Sequence, residues 1–189
     1  MKDSFIFEIL EDSKANKKII GIWQYNDSEG FIAGYVKDLN KTFFTFQHLT
    51  KFGRLDGIII DKIETIQSID FDDDYSKSLQ YIFENSSQLD IEKEIEIKLS
   101  EKDDWQIEIL KQYKGNTEKL ISLEINEDEY FTGYVEKISK TDIVFHCIGK
   151  LGEDEGTVIY RNEDITAFKL NDIDNRKRKM LFDWRNKKD

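Results

Sequence analysis

Two histidines and one cysteine are all the imidazole and thiol in these 189 residues, and two of the three are adjacent, in Phe145-His146-Cys147. That adjacency invites a metal site, or a nucleophile beside its base. Zinc needs about four ligands in a structural site and at least three protein ligands in a catalytic one. Alternation along a strand also sends neighbouring side chains to opposite faces. Cys147 is therefore expected as a small buried hydrophobe on the apolar face that holds Ile143 and Phe145. His48 is expected at the end of the equivalent face of Phe44 and Phe46, with a satisfied hydrogen bond. His146 is expected to face outward. No metal set and no cofactor is expected from these residues.

Carboxylates cluster at Asp72–Asp74, Glu127–Glu129 and Glu153–Glu155. None of the runs has the alternating acids, glycine and closing glutamate of an EF-hand loop. Asp72–Asp74 precede Tyr75, Leu79, Ile82 and Phe83, which share one helical face. Negative charge at a helix start is favoured by the dipole. A pair of acids in general acid/base roles stays open, but no pair is marked above the others. Serines lack a Gly-x-Ser-x-Gly setting. The expectation is a protein without catalytic residues.

Charge separates along the chain. The net charge is −11 with a pI near 4.8, which repels a phosphate backbone over most of the surface. Residues 176–189 run the other way, with seven basic and two acidic side chains. Two readings follow. Arg176, Arg178 and Trp184 could bind nucleic acid or an acidic partner, or the tail could fold on the protein's own acidic surface over Met180, Leu181 and Trp184. Aromatics suggest a second binding surface. Tyr35 and Tyr134 lie opposite the core-facing Val36 and Val135, and Phe43 points outward by the same count. Either the unit's own helices or the other barrel cover them, or they bind a protein partner.

The elements that position these residues come in duplicate. Residues 31–66 set against 130–165 without gaps share twelve identities in thirty-six, where chance gives about two or three. A period-two pattern predicts strands near 18–25, 31–39, 42–49, 57–62 and 64–71, and again near 119–125, 130–138, 141–148, 156–161 and 163–170. Helices are expected over the leading segments "SFIFEILEDS" and "DWQIEILKQY" and after each fifth strand. Gly53 and Gly57, like Gly152 and Gly156, share one spacing that suits turns with positive φ; a phosphate cradle is the alternative. Gly34 and Gly133 fall inside strands, where a bend or a close neighbour must require them. The fold expected is mainly β with flanking helices, as two tandem five-stranded barrels. The first spans 1–88 and the second 102–189, with a joint at 89–101 that reads as helix or strand. The alternative is one larger domain woven from both repeats.

A leading helix, then five bent strands with glycine in the second, resembles the Sm-like fold. "FIAGYV" and "YFTGYV" look like that family's second strand, and "GIIIDKIETIQSI" and "GTVIYRNEDITAF" like its fourth and fifth. A generic SH3-like barrel reads almost the same. The resemblance implies RNA-binding positions after the second strand, an Asp and then an Asn four residues on. Here those places hold Asn40 and Phe44, and Ser139 and Ile143. The family's Arg-Gly pair falls at Asp61-Lys62 and Tyr160-Arg161. Its RNA site therefore does not transfer.

One cysteine suits a reducing compartment, the first residues do not read as a signal peptide, and no apolar run approaches the ~20 residues of a membrane span. The sequence thus reads as a cytoplasmic protein-interaction or scaffold module, partnered by protein or by itself and not by membrane. Nucleic-acid binding through 176–189 is the alternative.

Overall fold

Each repeat opens on a helix whose apolar residues step along one face, and closes on a second helix capped by an aspartate. In between, five strands pair as one antiparallel sheet. The computed structural model describes residues 4–25, 30–91, 95–100 and 104–187. The chain divides into two units, Met1–Ser86 and Ser87–Asp189. Residues 92–94 and 101 of the expected joint, and 188–189 of the basic tail, lie outside the described residues. The rest of the joint holds a short 3-10 turn at Ser86–Asp90 and no strand among the described residues.

The first unit runs α1 (Phe5–Asn16), β1 (Ile20–Gln24), β2 (Phe31–Leu39), β3 (Phe43–Leu49), β4 (Leu55–Lys62), β5 (Ile66–Asp70) and α2 (Asp74–Asn85). The second runs α3 (Trp105–Tyr113), β6 (Ile121–Ile125), β7 (Glu129–Ile138), β8 (Asp142–Ile148), β9 (Asp154–Arg161), β10 (Ile165–Leu170) and α4 (Ile173–Asn186). The sheet orders are β4-β3-β2-β1-β5 and β10-β6-β7-β8-β9, one the mirror listing of the other. Each sheet draws strands only from its own repeat, so the woven alternative does not hold.

The duplication reaches the irregularities. Pairing skips Lys37 in β2 and Glu136 in β7, and Gln67 in β5 and Thr166 in β10, while Asp56 and Gly57 of β4 stand against His48 alone, as Glu155 and Gly156 of β9 stand against Cys147. Each pair of skips sits at equivalent places in the two repeats. Bulges increase local twist and bend the bulged strand, so each sheet curls in the same way. Neither sheet closes: β4 and β5, and β9 and β10, remain as edges. The expected barrels are thus open, curled sheets.

Gly34 and Gly133 show what the bends require. A Cβ at either would lie 1.9 Å from the backbone oxygen of Gln47 or His146 on the neighbouring strand. Gly53 and Gly152 have φ of +67° and +76°, as turn glycines should, and carry a second constraint. A Cβ there would sit 2.7 Å from Phe83 N or 2.5 Å from Phe182 N. The turn is pressed against the backbone of the trailing helix.

Each sheet carries a helix on each face. On the inner face, Leu10 of α1, with Ile6 and Ile9, packs on Ile20, Ile22, Val36, Phe44, Phe46 and Ile66. In the second unit Ile109, Leu110 and Tyr113 of α3 meet Leu123, Val135, Ile143, Phe145 and Cys147. The outer face receives the trailing helix: Leu79 of α2 packs with Ile19, Ala33 and Leu49, and Phe182 of α4 with Leu120, Tyr134 and Ile148. Where β1 ends, the leading helix takes over its hydrogen bonding. Val36 N–H donates to the buried Ser13 hydroxyl, which donates in turn to Lys18 O. Asp73 and Asp172 cap α2 and α4 by accepting from Ser76 N–H and Asn175 N–H. The acids at 72–74 thus include a helix cap, as the sequence suggested.

Candidate functional site

An antiparallel edge strand turns every second residue's backbone away from its one partner. Ile63 N–H donates to Thr42 O, and the register runs on through Phe44↔Asp61 and Phe46↔Ile59. By alternation, Ile58, Ile60 and Lys62 direct their backbone groups to the open side of β4. Lys62 is capped there: its N–H donates to the Asp61 carboxylate, and its C=O accepts from the Thr65 hydroxyl. Ile58 and Ile60 have no strand on that side among the described residues.

The side chains on this edge are apolar. Leu55 is 63%, Ile58 54% and Ile60 70% exposed. Thr45↔Ile60 and Gln47↔Ile58 are direct cross-strand pairs, so Phe43, Ile58 and Ile60 share the outer face, with Phe43 diagonal to Ile60. Phe43 is 43% exposed, consistent with the outward position expected of it. The second unit repeats the edge in weaker form. Ile159 is 68% exposed, but Thr157 stands in place of Ile58, and an ion pair between Arg161 and Asp142 (3.6 Å) replaces Lys62 and Phe43.

The other expected site residues lie elsewhere. Tyr35 is half-buried, its ring 5.8 Å from Phe83 of α2. Tyr134 is buried, its ring 5.9 Å from Phe182 of α4, and burial first, then the charge of Asp183, pushes its phenol well up. Both occupy the outer face as expected, and both are covered by the trailing helix rather than presented to solvent. In α4 the basic side chains turn to acceptors in their own unit. Arg176 Nε donates to Leu89 O, 3.0 Å, and its Nη1 to Asn171 O. Arg178 bonds Asp174 and Ile148 O, both 3.0 Å. Lys177, only 5% exposed, pairs with Asp174 at 2.9 Å, Lys179 with Asp183 at 2.6 Å, and Arg185 donates to Leu151 O. Trp184 is half-buried on the same helix, while Met180 and Leu181 are buried. Phe43 and Tyr35 belong to the first unit, and Tyr134, Arg176, Arg178 and Trp184 to the second.

The His/Cys pair is also placed. Cys147 is buried on the inner face, and burial pushes its thiol up, which disfavours the thiolate a nucleophile needs. His48 is unlike it: its side chain is 29% exposed, with Nδ1 3.4 Å from Asp56. The expected outward His146 is instead half-buried, 3.5 Å from Glu136 and 3.0 Å from Asp154, because Tyr134 and α4 roof that face. Its counterpart Gln47 is buried and donates to Gly57 O at the bulge. A cleft of about 370 Å³ opens beside His146, lined also by Tyr134, Glu136, Lys179 and Phe182. Among the described residues no group of three or more His, Cys, Asp or Glu is placed to hold a metal ion, and no helix is long and apolar enough to cross a membrane.

Sequence reasoning missed Ile58 and Ile60. The only available signal was three isoleucines in a row, which an edge strand cannot bury on both faces at once. Compared with protein-family models, curated proteins and solved structures, the chain matches none.

Proposed function

We propose that the chain is a non-enzymatic protein-interaction module built on two small SH3-like or Sm-like rolls of sheet, and that the β4 edge takes up an extended segment of a protein. The observation that carries this reading is the pairing of open backbone groups with open apolar side chains at Ile58 and Ile60. Natural edge strands are usually short, charged, bulged or covered. Two bare isoleucines on an eight-residue edge are the arrangement that strand addition uses, with main-chain bonds for affinity and alternate side chains for selection. The nucleic-acid reading asks for cations directed away from the unit. The α4 cations directed to acceptors within their unit favour the protein-binding reading.

The test uses Thr/Val-rich extended peptides as probes and follows backbone amide shifts of the full chain. The Ile58 and Ile60 amides should shift first. Ile60→Pro removes an outward N–H without taking a bond from β3, so the sheet should persist while affinity falls about tenfold, or ~1.4 kcal/mol. Shifts confined to other surfaces, or unchanged affinity in the proline variant, would remove the β4 edge from the proposal.

A further inference from the structure

The outer face of the second unit holds the cleft of about 370 Å³ between β7, β8, α4 and the loop that follows α3. That volume falls within the range of about 300–1,000 Å³ usual for small-ligand sites. Its apolar wall is aromatic. The Tyr134 and Phe182 rings stand 5.9 Å apart at 62°, and the His146 ring lies 6.5 Å from Tyr134 at 50°. The three rings meet as a corner rather than a stack. The loop wall is tied down: Gly115 N–H donates to Val135 O, Asn116 N–H to Tyr113 O, and Glu118 N–H to the Asn116 side-chain oxygen.

The charges on this cleft are unequal. Glu118, Glu136 and Asp183 line it against the single cation Lys179 among the described residues. Lys179 Nζ lies 2.6 Å from each Asp183 oxygen, so those two charges balance. Glu118 and Glu136 are left over. Glu136 is the unpaired residue of the β7 bulge, a place where a side chain is re-aimed, and it lies 3.5 Å from His146 Nδ1. Burial, then the charge of Asp183, then that of Glu118 raise the Tyr134 phenol, so both carboxylates bear on the aromatic corner. Aromatic faces attract a cation through their quadrupole. Rings and acids together therefore suit a positive head on an apolar stem.

The first unit keeps the rings and reverses the charges. Tyr35 and Phe83 stand 5.8 Å apart at 47°. Yet Lys37 occupies the bulge position of Glu136, and Lys17 stands two residues before Ile19, as Glu118 stands two before Leu120. Packing of the trailing helix accounts for the aromatics in both units. It does not account for the acids, which only the second unit has. We infer that this cleft binds an alkylammonium group, with the stem on Tyr134 and Phe182 and the charge at Glu118 and Glu136. An ammonium spreads its three donors and can serve acids on separate walls, here the loop and β7, whereas a guanidinium fork matches one carboxylate best. The site is apart from the β4 edge, which belongs to the first unit.

Titration of the full chain with n-pentylamine, followed by backbone amide shifts, tests the site. The amides of Gly115, Glu118, Glu136 and Phe182 should shift and saturate with a Kd on the order of 1–10 mM. Those of Lys17, Lys37 and Phe83 should stay still. Sodium chloride at the same ionic strength should not reproduce the shifts, and n-pentanol should not either. Glu136→Lys and Glu118→Lys each import the first unit's charge and should each weaken binding about tenfold or more, with Glu136→Gln weakening it less. Both glutamates are exposed, so the fold should persist, as an otherwise unchanged amide spectrum would show. Nα-acetyl-lysine methylamide separates the sources of the group. Binding as tight as that of pentylamine assigns a lysine side chain of a protein, and binding of pentylamine alone assigns a free amine. Equal binding of pentanol, shifts reproduced by salt, or an unchanged affinity in Glu136→Lys overturns the inference. The β4 edge is read by other amides and stands or falls separately.

Discussion

Replacing Gly34 by alanine should cost the first unit about 3 kcal/mol, and replacing it by valine should leave that unit unfolded. The added Cβ would meet Gln47 O at 1.9 Å and Gln47 C at 2.9 Å, both backbone atoms of the paired strand. Neither can turn aside as a flexible side chain could, so β2 and β3 must separate where the sheet bends. Overpacking of this kind costs about 1–3 kcal/mol, occasionally more. A unit of this size has about 5–10 kcal/mol in total. Gly57→Ala provides the comparison. Its φ is +86°, but nothing lies within 4 Å of the new carbon, so only the conformational cost of about 1–2 kcal/mol applies. Denaturation followed by the indole signal of Trp23 reports the first unit, since Trp23 N–H is held by Asp70 at 2.6 Å. If Gly34→Ala and Gly57→Ala cost the same, the close strand approach is not what selects glycine at 34.

Asp174→Asn should destabilise the second unit by about 3 kcal/mol. The carboxylate receives Lys177 Nζ at 2.9 Å and Arg178 Nε at 3.0 Å, and Lys177 is nearly buried. Removing one member of a buried ion pair costs about 3–5 kcal/mol, and the 30% exposure of Asp174 places the effect at the lower end. Burial acts to raise the Asp174 carboxyl, and the hydrogen bond and charge of Lys177, followed by those of Arg178, outweigh it and hold it below the usual aspartate range. The sign for pH follows. A carboxyl depressed in the folded state contributes stability above its unfolded value, and loses it as pH falls through the folded value. Stability of the second unit should therefore decline as acid is added below pH ~4. In Asp174→Asn this part of the decline should be absent. An unchanged acid limb in the variant would show that other groups govern it.

The sheets were legible in the sequence because alternating apolar residues and paired glycines mark strands and turns independently. The expected 31–39 is β2 to the residue, and the expected 163–170 holds β10 at Ile165–Leu170. Both leading segments are helical, as Phe5/Ile9 and Trp105/Ile109/Tyr113 suggested. The bulges at 37, 56–57 and 67 left no mark, since one extra residue in a strand changes no composition. Nor did the sequence separate an outward residue from an exposed one. Tyr134 and His146 are outward from the inner core, yet α4 covers them, and a period-two pattern has no symbol for a second layer. The isoleucine run at 58–60 was equally silent. A strand buried on both faces and a strand left at an edge can have the same letters, and only the neighbours distinguish them.

The near-identity of the two rolls creates a folding hazard, because each half offers the other's strands a decoy cradle with matching kinks. One internal difference acts as a password. In the second unit the Ser122 hydroxyl lies 2.8 Å from Thr132 and 2.7 Å from the buried Asn175 carboxamide. The first has Gly21, Ala33 and Ser76 at the equivalent places, so a swapped assembly would strand Asn175 in an apolar seam. Exchanging Ser122 and Asn175 for the first unit's glycine and serine should therefore raise the fraction of chains trapped in slow phases on refolding. An unaltered refolding trace would leave discrimination to some other part of the molecule.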